Sequence, residues 1–257
     1  YQNFDFKLKN NQDNNYYLDV ANFNRRKIGN ITGIGSAEEL SNSTWQEITM
    51  AFSLNPLFYV LKKNIKTASS LYYVSKNGFR NQFPWRPFSE THFDPQIFKD
   101  PMYLKNLPTN NPKREPIWTD VYTYSPHYGL SVTCSAPVYH KMQFKGIVGI
   151  DFLLEPIIEF INGITYPNGR LIIVNDYGTI LADTQSNNRV PIKVQKTLPK
   201  GIQLETIYKL PRKTISKIED YWVYQAKSRY APWTAIYFVK TWDMNISTLK
   251  HIGPSIV

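Results

Sequence analysis

The chain has 257 residues, of which 42% are hydrophobic and 19% are charged, and its formal net charge is +10 at pH 7. This composition excludes an intrinsically disordered chain and fits one large or two ordinary globular domains. The single cysteine, Cys134, excludes a framework of intrachain disulfides, and no run approaches the roughly 18–20 apolar residues of a membrane span.

The positive charge has two interpretations. The first is a solvated basic surface, and the second is attraction to an anionic membrane face or to nucleic acid. The basic residues are scattered, with the densest clusters at Arg25-Arg26-Lys27 and at Lys62-Lys63. None of the clusters is interleaved with aromatic residues as in a nucleic-acid-binding module, so we expect no nucleic-acid partner.

The first 35 residues are polar, with apolar side chains at intervals. Tyr16, Val20, Phe23, Ile31 and Ile34 recur at roughly helical spacing. This spacing predicts a long amphipathic helix at the N-terminus.

The next segment carries helix-start signals. The sequence SAEEL at 36–40 has the pattern of a capping box, with the serine answered by the glutamate three residues later. A second helix is predicted through Trp45 and Phe52. Asn55 and Pro56 then predict a further helix, with Asn55 as its cap.

From residue 70 the pattern becomes that of strands. The sequence LYYVSKNGF predicts a hairpin with Asn77-Gly78 at its turn. Residues 84–116 are rich in Pro and Asn and predict an irregular region with one or two short helices. Three strands joined by short turns follow and predict an antiparallel meander, over 118–125, 130–139 and 146–154.

The last third repeats this order on a smaller scale. Residues 155–164 predict a connecting helix, and two hairpins are predicted over 170–183 and 220–239. The chain is therefore predicted to be an α+β protein of two units, with a boundary near residue 153.

No catalytic motif is present in the sequence. The four histidines lack metal-ligand spacing, and there is no GxSxG elbow, Walker loop or GxGxxG sequence. Cys134 is predicted to be a small core side chain. We therefore expect no catalytic residue, no metal ligand and no cofactor, with one alternative: Asp120 and Asp151 as the paired acids of a hydrolase.

The sequence GIVGIDFLL at 146–154 places a carboxylate inside an apolar strand. Strand alternation puts Val148, Ile150 and Phe152 on one face, suited to a core. Gly149 and Asp151 point the other way. A buried unpaired carboxylate costs several kcal/mol, so Asp151 needs a partner or a purpose.

Neighbouring strands offer further polar and aromatic side chains. Alternation places Trp118, Asp120 and Tyr122 on one face of their strand, and Thr133 among the hydroxyls of the next strand. Carboxylates together with aromatic rings favour a cation such as an ammonium group. The alternative is a solvated sheet face on which Asp151 pairs with a Lys or Arg.

These segments together resemble the double Cache sensor domain, the extracytoplasmic, PAS-like input module of bacterial transmembrane receptors. The resemblance covers roughly residues 15–245 and rests on the order and spacing of several sequences: LYYVSKNGF, PWRPF, WTDVY, GLSVTCSAPVY, FKGIVGIDFLLEPIIEFI, GRLIIVNDYGTILAD and APWTAIYFV. Its strongest part runs from Gly129 to Phe152. The resemblance is greatest to members attached to diguanylate cyclases.

The resemblance implies roles for individual residues. In the members that bind amino acids or amines, the positions of Asp151 and of Trp118-x-Asp120 contact the ligand's ammonium group. An Arg-x-Trp segment holds the carboxylate in the members that bind amino acids. This sequence departs from that pattern, because Arg80 lies five residues before Trp85 and Arg86 one residue after it.

The resemblance also implies the organisation of the chain. The expected parts are N-terminal stalk helices (1–44), a membrane-distal, ligand-binding Cache unit (45–153), a membrane-proximal Cache unit (154–250) and a C-terminal tail (251–257). The expected ligand-binding residues are Asp151, Asp120, Trp118, Tyr122, Trp85, Tyr73, Arg86 and Thr133.

The function implied is the sensing of a small molecule, such as an amine or an amino acid, outside the cytoplasm. The segment itself would have no enzymatic activity, and it would pass a conformational change to a diguanylate cyclase or a histidine kinase. The expected localisation is the periplasmic side of an inner-membrane protein anchored by flanking spans. The expected assembly is a homodimer formed through the N-terminal helix.

Overall fold

The computed structural model describes residues 6–11, 13–21, 23–125, 129–164, 169–186 and 189–243. The chain divides into two compact units. The first contains the residues up to Thr119 together with Thr133–Phe152. The second contains Asp120–Val132 together with the chain from Leu153 onward.

Most of the regular structure is β-strand. The strands are β1 (Leu8–Asn10), β2 (Asn15–Leu18), β3 (Asn30–Ile34), β4 (Ala68–Ser75), β5 (Phe79–Phe83), β6 (Ile117–Trp118), β7 (Tyr122–Ser125), β8 (Gly129–His140), β9 (Gln143–Leu153), β10 (Gly169–Asn175), β11 (Ile180–Asp183), β12 (Ile215–Ile218), β13 (Tyr221–Lys227) and β14 (Trp233–Lys240). The helices are α1 (Asn42–Ser53), α2 (Asn55–Asn64), α3 (Phe88–Thr91), α4 (Pro101–Leu104), α5 (Glu155–Asn162) and α6 (Leu204–Lys209). Short 3₁₀ turns occupy Ala37–Glu39, Pro95–Lys99, Val194–Lys196 and Thr241–Asp243.

The strands form two sheets. One has the order β1-β2-β3-β5-β4-β9-β8-β6, with β7 paired to β8, and the other has the order β11-β10-β14-β13-β12. The registers show antiparallel pairing, such as β4 with β5 and with β9, and β10 with β14. The predicted α+β class with antiparallel sheets is confirmed at this level.

The prediction of a long N-terminal helix is wrong. The segment instead forms β1, β2 and β3, which extend the edge of the first sheet. Tyr16 and Leu18 are buried, while Tyr17 between them is only half-buried, which is the period of a strand. Tyr16 pairs with Gly33 of β3, and its ring occupies the place a side chain at residue 33 would take.

Helices α1 and α2 cover one face of the first sheet, which we call the helix face. The buried cluster there includes Ile48, Phe52, Tyr73 and Phe79. A second cluster, under α2, contains Phe58, Leu71 and Phe83, with the half-buried Val148, Ile150 and Phe152 of β9 packed against it. The apolar face predicted for β9 therefore does lie against helices.

The helix starts differ in detail from the prediction. Ser36 caps only a 3₁₀ turn, and its hydroxyl contacts the carboxylate of Glu38 rather than Glu39. Helix α1 has its own cap, Ser41. Asn55 lies inside α2 and is buried, where its Oδ1 accepts from the backbone N–H of Gly29 at 3.1 Å.

The irregular segment predicted over 84–116 covers the opposite face of the first sheet, which we call the loop face. It contains α3, α4 and the 3₁₀ turn at Pro95–Lys99. Its buried side chains pack against those of β4 and β9 in one cluster, which contains Phe93, Ile97, Tyr103, Tyr72, Val74 and Ile147.

The first strand of the predicted meander is interrupted. Strands β6 and β7 are separated by Thr119–Val121. Thr119 still bonds to β8, since its N–H donates to the carbonyl of Thr133 and its hydroxyl accepts from the N–H of Thr133, both at 2.9 Å. The simple alternation predicted for Trp118, Asp120 and Tyr122 therefore does not hold across the break.

The second unit contains the five-stranded sheet with α5 and α6. Its core includes Ile172, Val174, Val223, Ile236 and Phe238. The two predicted hairpins, β10–β11 and β13–β14, are present, and β12 adds an edge strand. Within the described ranges, no helix is both long and apolar enough to cross a membrane.

Candidate functional site

The carboxylate of Asp151 lies on the loop face of the first sheet and is 4% exposed. Its Oδ1 accepts a hydrogen bond from the Thr133 hydroxyl at 2.7 Å and another from the Tyr72 hydroxyl at 2.9 Å. The three side chains come from β9, β8 and β4, which are neighbours in the sheet. We call this group the Asp151 site.

Gly149 is the reason Tyr72 can reach Asp151. The two residues are directly paired between β4 and β9, and the Tyr72 ring lies over the glycine. A Cβ at residue 149 would stand 2.5 Å from ring atom Cε2, which real Cβ atoms do not tolerate. The space that the sequence predicted beside Asp151 is thus filled by a tyrosine ring.

The segment above the loop face is held beside the site by polar contacts to Met102. The Tyr72 hydroxyl lies 2.8 Å from the Met102 sulfur. The Ser135 hydroxyl donates to the Met102 carbonyl at 3.0 Å, and the buried Asn106 amide donates to the Ser135 hydroxyl at 2.8 Å. Buried polar groups joined in this way hold one geometry, because each broken bond would leave a desolvated group.

Two of the predicted site residues lie on the helix face instead. Trp118 pairs with Cys134 and stacks on Phe152, with ring centroids 5.5 Å apart. The Tyr73 hydroxyl donates to the Glu47 carboxylate at 2.6 Å. The structure therefore does not bring Trp118 or Tyr73 together with Asp151.

Asp120 belongs to the second unit and is bonded there. Its Oδ2 accepts from the Lys193 ammonium at 2.9 Å and its Oδ1 from the Asn175 amide at 2.7 Å. Burial opposes ionisation of Asp120, but hydrogen bonds from Thr179, Asn175 and Lys193 outweigh it and lower its pKa. This carboxylate already has a protein cation as partner.

The remaining predicted residues have local partners. The Arg25 guanidinium lies 4.4 Å from the centroid of the Trp85 ring. The backbone of Arg86 is tied to Asn30 of β3 in both directions, with its N–H donating at 2.7 Å and its carbonyl accepting at 2.6 Å. Tyr122 pairs with Ser131 in the second unit.

Two observations concern residues that could take part in catalysis. No group of three or more His, Cys, Asp or Glu residues that could hold a metal occurs among the described residues. Cys134 is half-buried, and burial raises the pKa of its thiol, which disfavours the reactive thiolate.

Comparison with solved structures identifies the fold of this chain. No family model matches the chain, and no curated protein matches it. Among solved structures, the ligand-binding domain of the Pseudomonas aeruginosa PAO1 amino acid chemoreceptor PctC, in complex with GABA, is 17% identical with a TM-score of 0.53. That match covers 76% of this chain and 92% of the other.

Two further structures agree with this result. The extracellular domain described as that of a histidine kinase, mmHK1S-Z3, is 15% identical with a TM-score of 0.59, over 81% of this chain and 87% of the other. The isoleucine-bound sensory domain of the Campylobacter jejuni chemoreceptor Tlp3 is 16% identical with a TM-score of 0.51, over 80% and 79%. The chain has the double Cache fold.

Within this Cache fold, the sequence missed several residues of the loop face. Ser70 pairs directly with Asp151 and Tyr72 with Gly149, while Gln82 lies one strand further away, paired with Tyr72. The available signal was the hairpin register, which places alternate residues of β4 and β5 on the face that Asp151 occupies.

Proposed function

We propose that this chain is the extracytoplasmic sensor of a bacterial signalling receptor and that it binds a small amine at the Asp151 site. The observation that carries the proposal is the buried Asp151 carboxylate, whose Oδ1 is held by the hydroxyls of Tyr72 and Thr133. Solved domains with this fold include the ligand-binding and sensory domains of two chemoreceptors.

The chemistry of the site suits a cation. An ionised carboxylate accepts hydrogen bonds at both oxygens, and the hydroxyl donors of Tyr72 and Thr133 fix its orientation. A charge-assisted hydrogen bond from an ammonium group to such a carboxylate is short and roughly twice as strong as a neutral one. The adjacent Tyr72 ring can add cation–π attraction.

The other properties of the receptor are proposed from the fold that this chain shares with known sensor domains. A ligand would favour one of two conformations, and the shift would pass to a cytoplasmic output domain, a histidine kinase or a diguanylate cyclase. Anchoring by membrane spans and dimerisation belong to the same proposal. The ligand-contacting roles predicted for Asp120, Trp85, Arg86 and Tyr122 also stay predictions.

The hydrolase alternative gains no support. It needs Asp120 and Asp151 to act on one bound substrate. Asp120 is instead engaged with Lys193 and Asn175 within the second unit, and Asp151 with Tyr72 and Thr133 within the first.

The proposal is tested by thermal-shift screening of amines and amino acids. A ligand present at one hundred times its Kd stabilises the folded state by about 2.7 kcal/mol, which raises the melting temperature by roughly 5–10 °C at this chain length. Asp151→Asn should weaken a hit by roughly 10- to 100-fold, the contribution of a hydrogen bond to a charged group.

The matched control is Asp19→Asn, which removes the same charge from a residue at the edge of the sheet that pairs with Lys9. This variant should respond to ligand like the unmodified protein. An amine that stabilises the Asp151→Asn variant as strongly as the unmodified protein would show that Asp151 is not its anchor.

A further inference from the structure

The ammonium group of Lys193 lies among three oxygen acceptors in the second unit. Its Nζ is 2.9 Å from Oδ2 of Asp120, 2.9 Å from the carbonyl oxygen of Tyr177 and 2.7 Å from the hydroxyl oxygen of Thr179. An ammonium group has three N–H donors and no acceptor, so these contacts match its full hydrogen-bonding capacity. We call the three acceptors the ammonium cage.

One buried side chain holds all three residues of the ammonium cage. Asn175 is 1% exposed, and its Nδ2 donates to Oδ1 of Asp120 at 2.7 Å. Its Oδ1 accepts from the backbone N–H of Tyr177 at 3.0 Å and from that of Thr179 at 2.9 Å. A buried amide with these bonds keeps one orientation, because each broken bond would leave a desolvated group. None of the bonds involves Lys193, so we expect the cage to keep its geometry without the lysine.

The acceptors of the cage are also directed toward the cation. Oδ1 of Asp120 accepts from Asn175 and, at 2.8 Å, from the backbone N–H of Val121, whereas Oδ2 accepts from the ammonium group. The Thr179 hydroxyl accepts from Lys193 and donates to the Asp120 carboxylate. One carboxylate and two neutral oxygens around a single point suit a primary ammonium ion, whose N–H groups reach all three.

The nearby pair of Lys227 with Asp176 is a simple ion pair and serves as a comparison. The Lys227 ammonium lies 3.1 Å from each oxygen of Asp176, and within the described part of the chain its hydrogen bonds go to this carboxylate alone. The side chains of this pair are 37% and 48% exposed, against 52% and 38% for Lys193 and Asp120. The two pairs therefore differ in their neutral acceptors more than in their exposure.

We propose that the ammonium cage is a binding site for primary ammonium ions and that Lys193 is its built-in occupant. The half-exposed lysine lets a small ion reach the cage from solvent once the side chain is shortened. A tethered group has a high effective concentration, so Lys193 excludes a free amine of the same chemistry. The cage is therefore closed to amines in the unmodified protein. This inference does not depend on the ligand proposed for the first unit.

The test is chemical rescue of Lys193→Ala by propylammonium chloride, with the ionic strength held constant. The three carbons and the nitrogen of this ion replace the atoms that the substitution removes. The substitution should lower the melting temperature by about 1–4 °C, and propylammonium should restore it. Amide NMR signals of Tyr177 and Thr179 should shift and saturate, with a Kd on the order of 10 mM for so small a ligand.

Three controls separate the cage from a general effect of charge. Lys193→Met removes the same charge but fills the space of the lysine stem, so propylammonium should give no saturable shift. Lys227→Ala removes a lysine of similar exposure without a cage, and propylammonium should restore its stability by less than half as much. Tetramethylammonium carries the same charge without an N–H group, so it should not rescue Lys193→Ala.

Absence of saturable shifts in Lys193→Ala would overturn the inference, and so would equal rescue by tetramethylammonium or equal rescue of Lys227→Ala. Saturable shifts of the cage signals in the unmodified protein at the same amine concentration would show that Lys193 does not exclude amines. The outcome for the proposed function is separate. Rescue should persist when Asp151→Asn is added to Lys193→Ala, and it should persist even where no amine binds the first unit.

Discussion

The ring of Tyr72 lies over Gly149, and this contact brings the tyrosine hydroxyl to the Asp151 carboxylate. The glycine is thus part of the site although it bears no functional group. Three consecutive positions of β9 have different roles. Gly149 leaves room for the Tyr72 ring, Ile150 packs on the helix face, and the Asp151 carboxylate accepts a hydrogen bond from the Tyr72 hydroxyl.

We predict that Gly149→Ala lowers the free energy of unfolding by about 1–3 kcal/mol, because the added methyl group displaces the Tyr72 ring. Denaturant titration measures this change. Gly163→Ala is the control, since a Cβ there would meet only carbonyl oxygens at 3.5 Å, an ordinary van der Waals contact. Equal effects of the two substitutions would contradict the contact.

Removal of the Tyr72 hydroxyl tests its hydrogen bond to Asp151. Tyr72→Phe should destabilise the protein by about 1–2 kcal/mol and weaken amine binding, because the carboxylate loses an orienting donor. Tyr16→Phe is the matched control: its buried hydroxyl has no partner in the described part of the chain, so its loss should be neutral or stabilising. The reverse order of stabilities would refute this account.

The part of the fold that the sequence predicted best is the part with strong local signals. The Asn77-Gly78 turn and the apolar face of β9 each depend on a few neighbouring residues. The face that Asp151 occupies was predicted correctly because strand alternation separates it from Ile150 and Phe152 without reference to any distant segment.

The N-terminal helix was mispredicted because sparse apolar residues fit two periods. Tyr16 to Phe23 satisfies helical spacing, but Tyr16 and Leu18 also satisfy the strand period. The choice is decided by pairing with β3, where Gly33 makes room for the Tyr16 ring. Such a long-range partner is not visible in a local pattern.

The site was predicted only in part for a related reason. The sequence predicted one continuous strand through Trp118 and Asp120, but the strand is interrupted at Thr119–Val121. Trp118 therefore lies on the helix face, and Asp120 belongs to the second unit. Ser70 and Tyr72 carry no motif, and only the pairing of β4 with β9 places them beside Asp151 and Gly149.

The ion pair of Asp120 with Lys193 predicts a pH dependence. Because the folded-state pKa of Asp120 is lowered from its ordinary value of 3.8, the pair stabilises the protein above that pH, and the stabilisation is lost as the pH falls through the lowered pKa. The side chains are 38% and 52% exposed, so the contribution is about 0.2–1 kcal/mol and should shrink with salt.

Asp120→Asn should therefore lower stability at pH 7 by that amount and have little effect near pH 2, as measured by denaturant titration at the two pH values. Lys193→Met should raise the pKa of Asp120, which NMR titration reports. An unchanged pKa in the Lys193 variant would contradict the assigned pairing.

A buried ion pair in the second unit gives a separate prediction. Arg170 meets Asp183 with two hydrogen bonds, Nε to Oδ1 at 2.9 Å and Nη2 to Oδ2 at 2.6 Å, and Asp183 is buried. Asp183→Asn should cost about 3–5 kcal/mol of stability, because the arginine charge stays in place without its partner.

The exposed pair of Lys227 with Asp176 is the comparison, and Asp176→Asn should cost no more than about 1 kcal/mol. Thermal unfolding of the two variants distinguishes these values. Similar losses in both variants would mean that burial does not set the strength of the Arg170–Asp183 pair.

The central claim is that Asp151 anchors the ammonium group of a ligand in the first unit. A crystal structure with the strongest amine from the thermal-shift screen tests it most directly. The account predicts the ligand nitrogen about 2.7–2.9 Å from an oxygen of Asp151, with Tyr72 and Thr133 still donating to the carboxylate. A bound amine whose nitrogen contacts other residues, with Asp151 untouched, would contradict it.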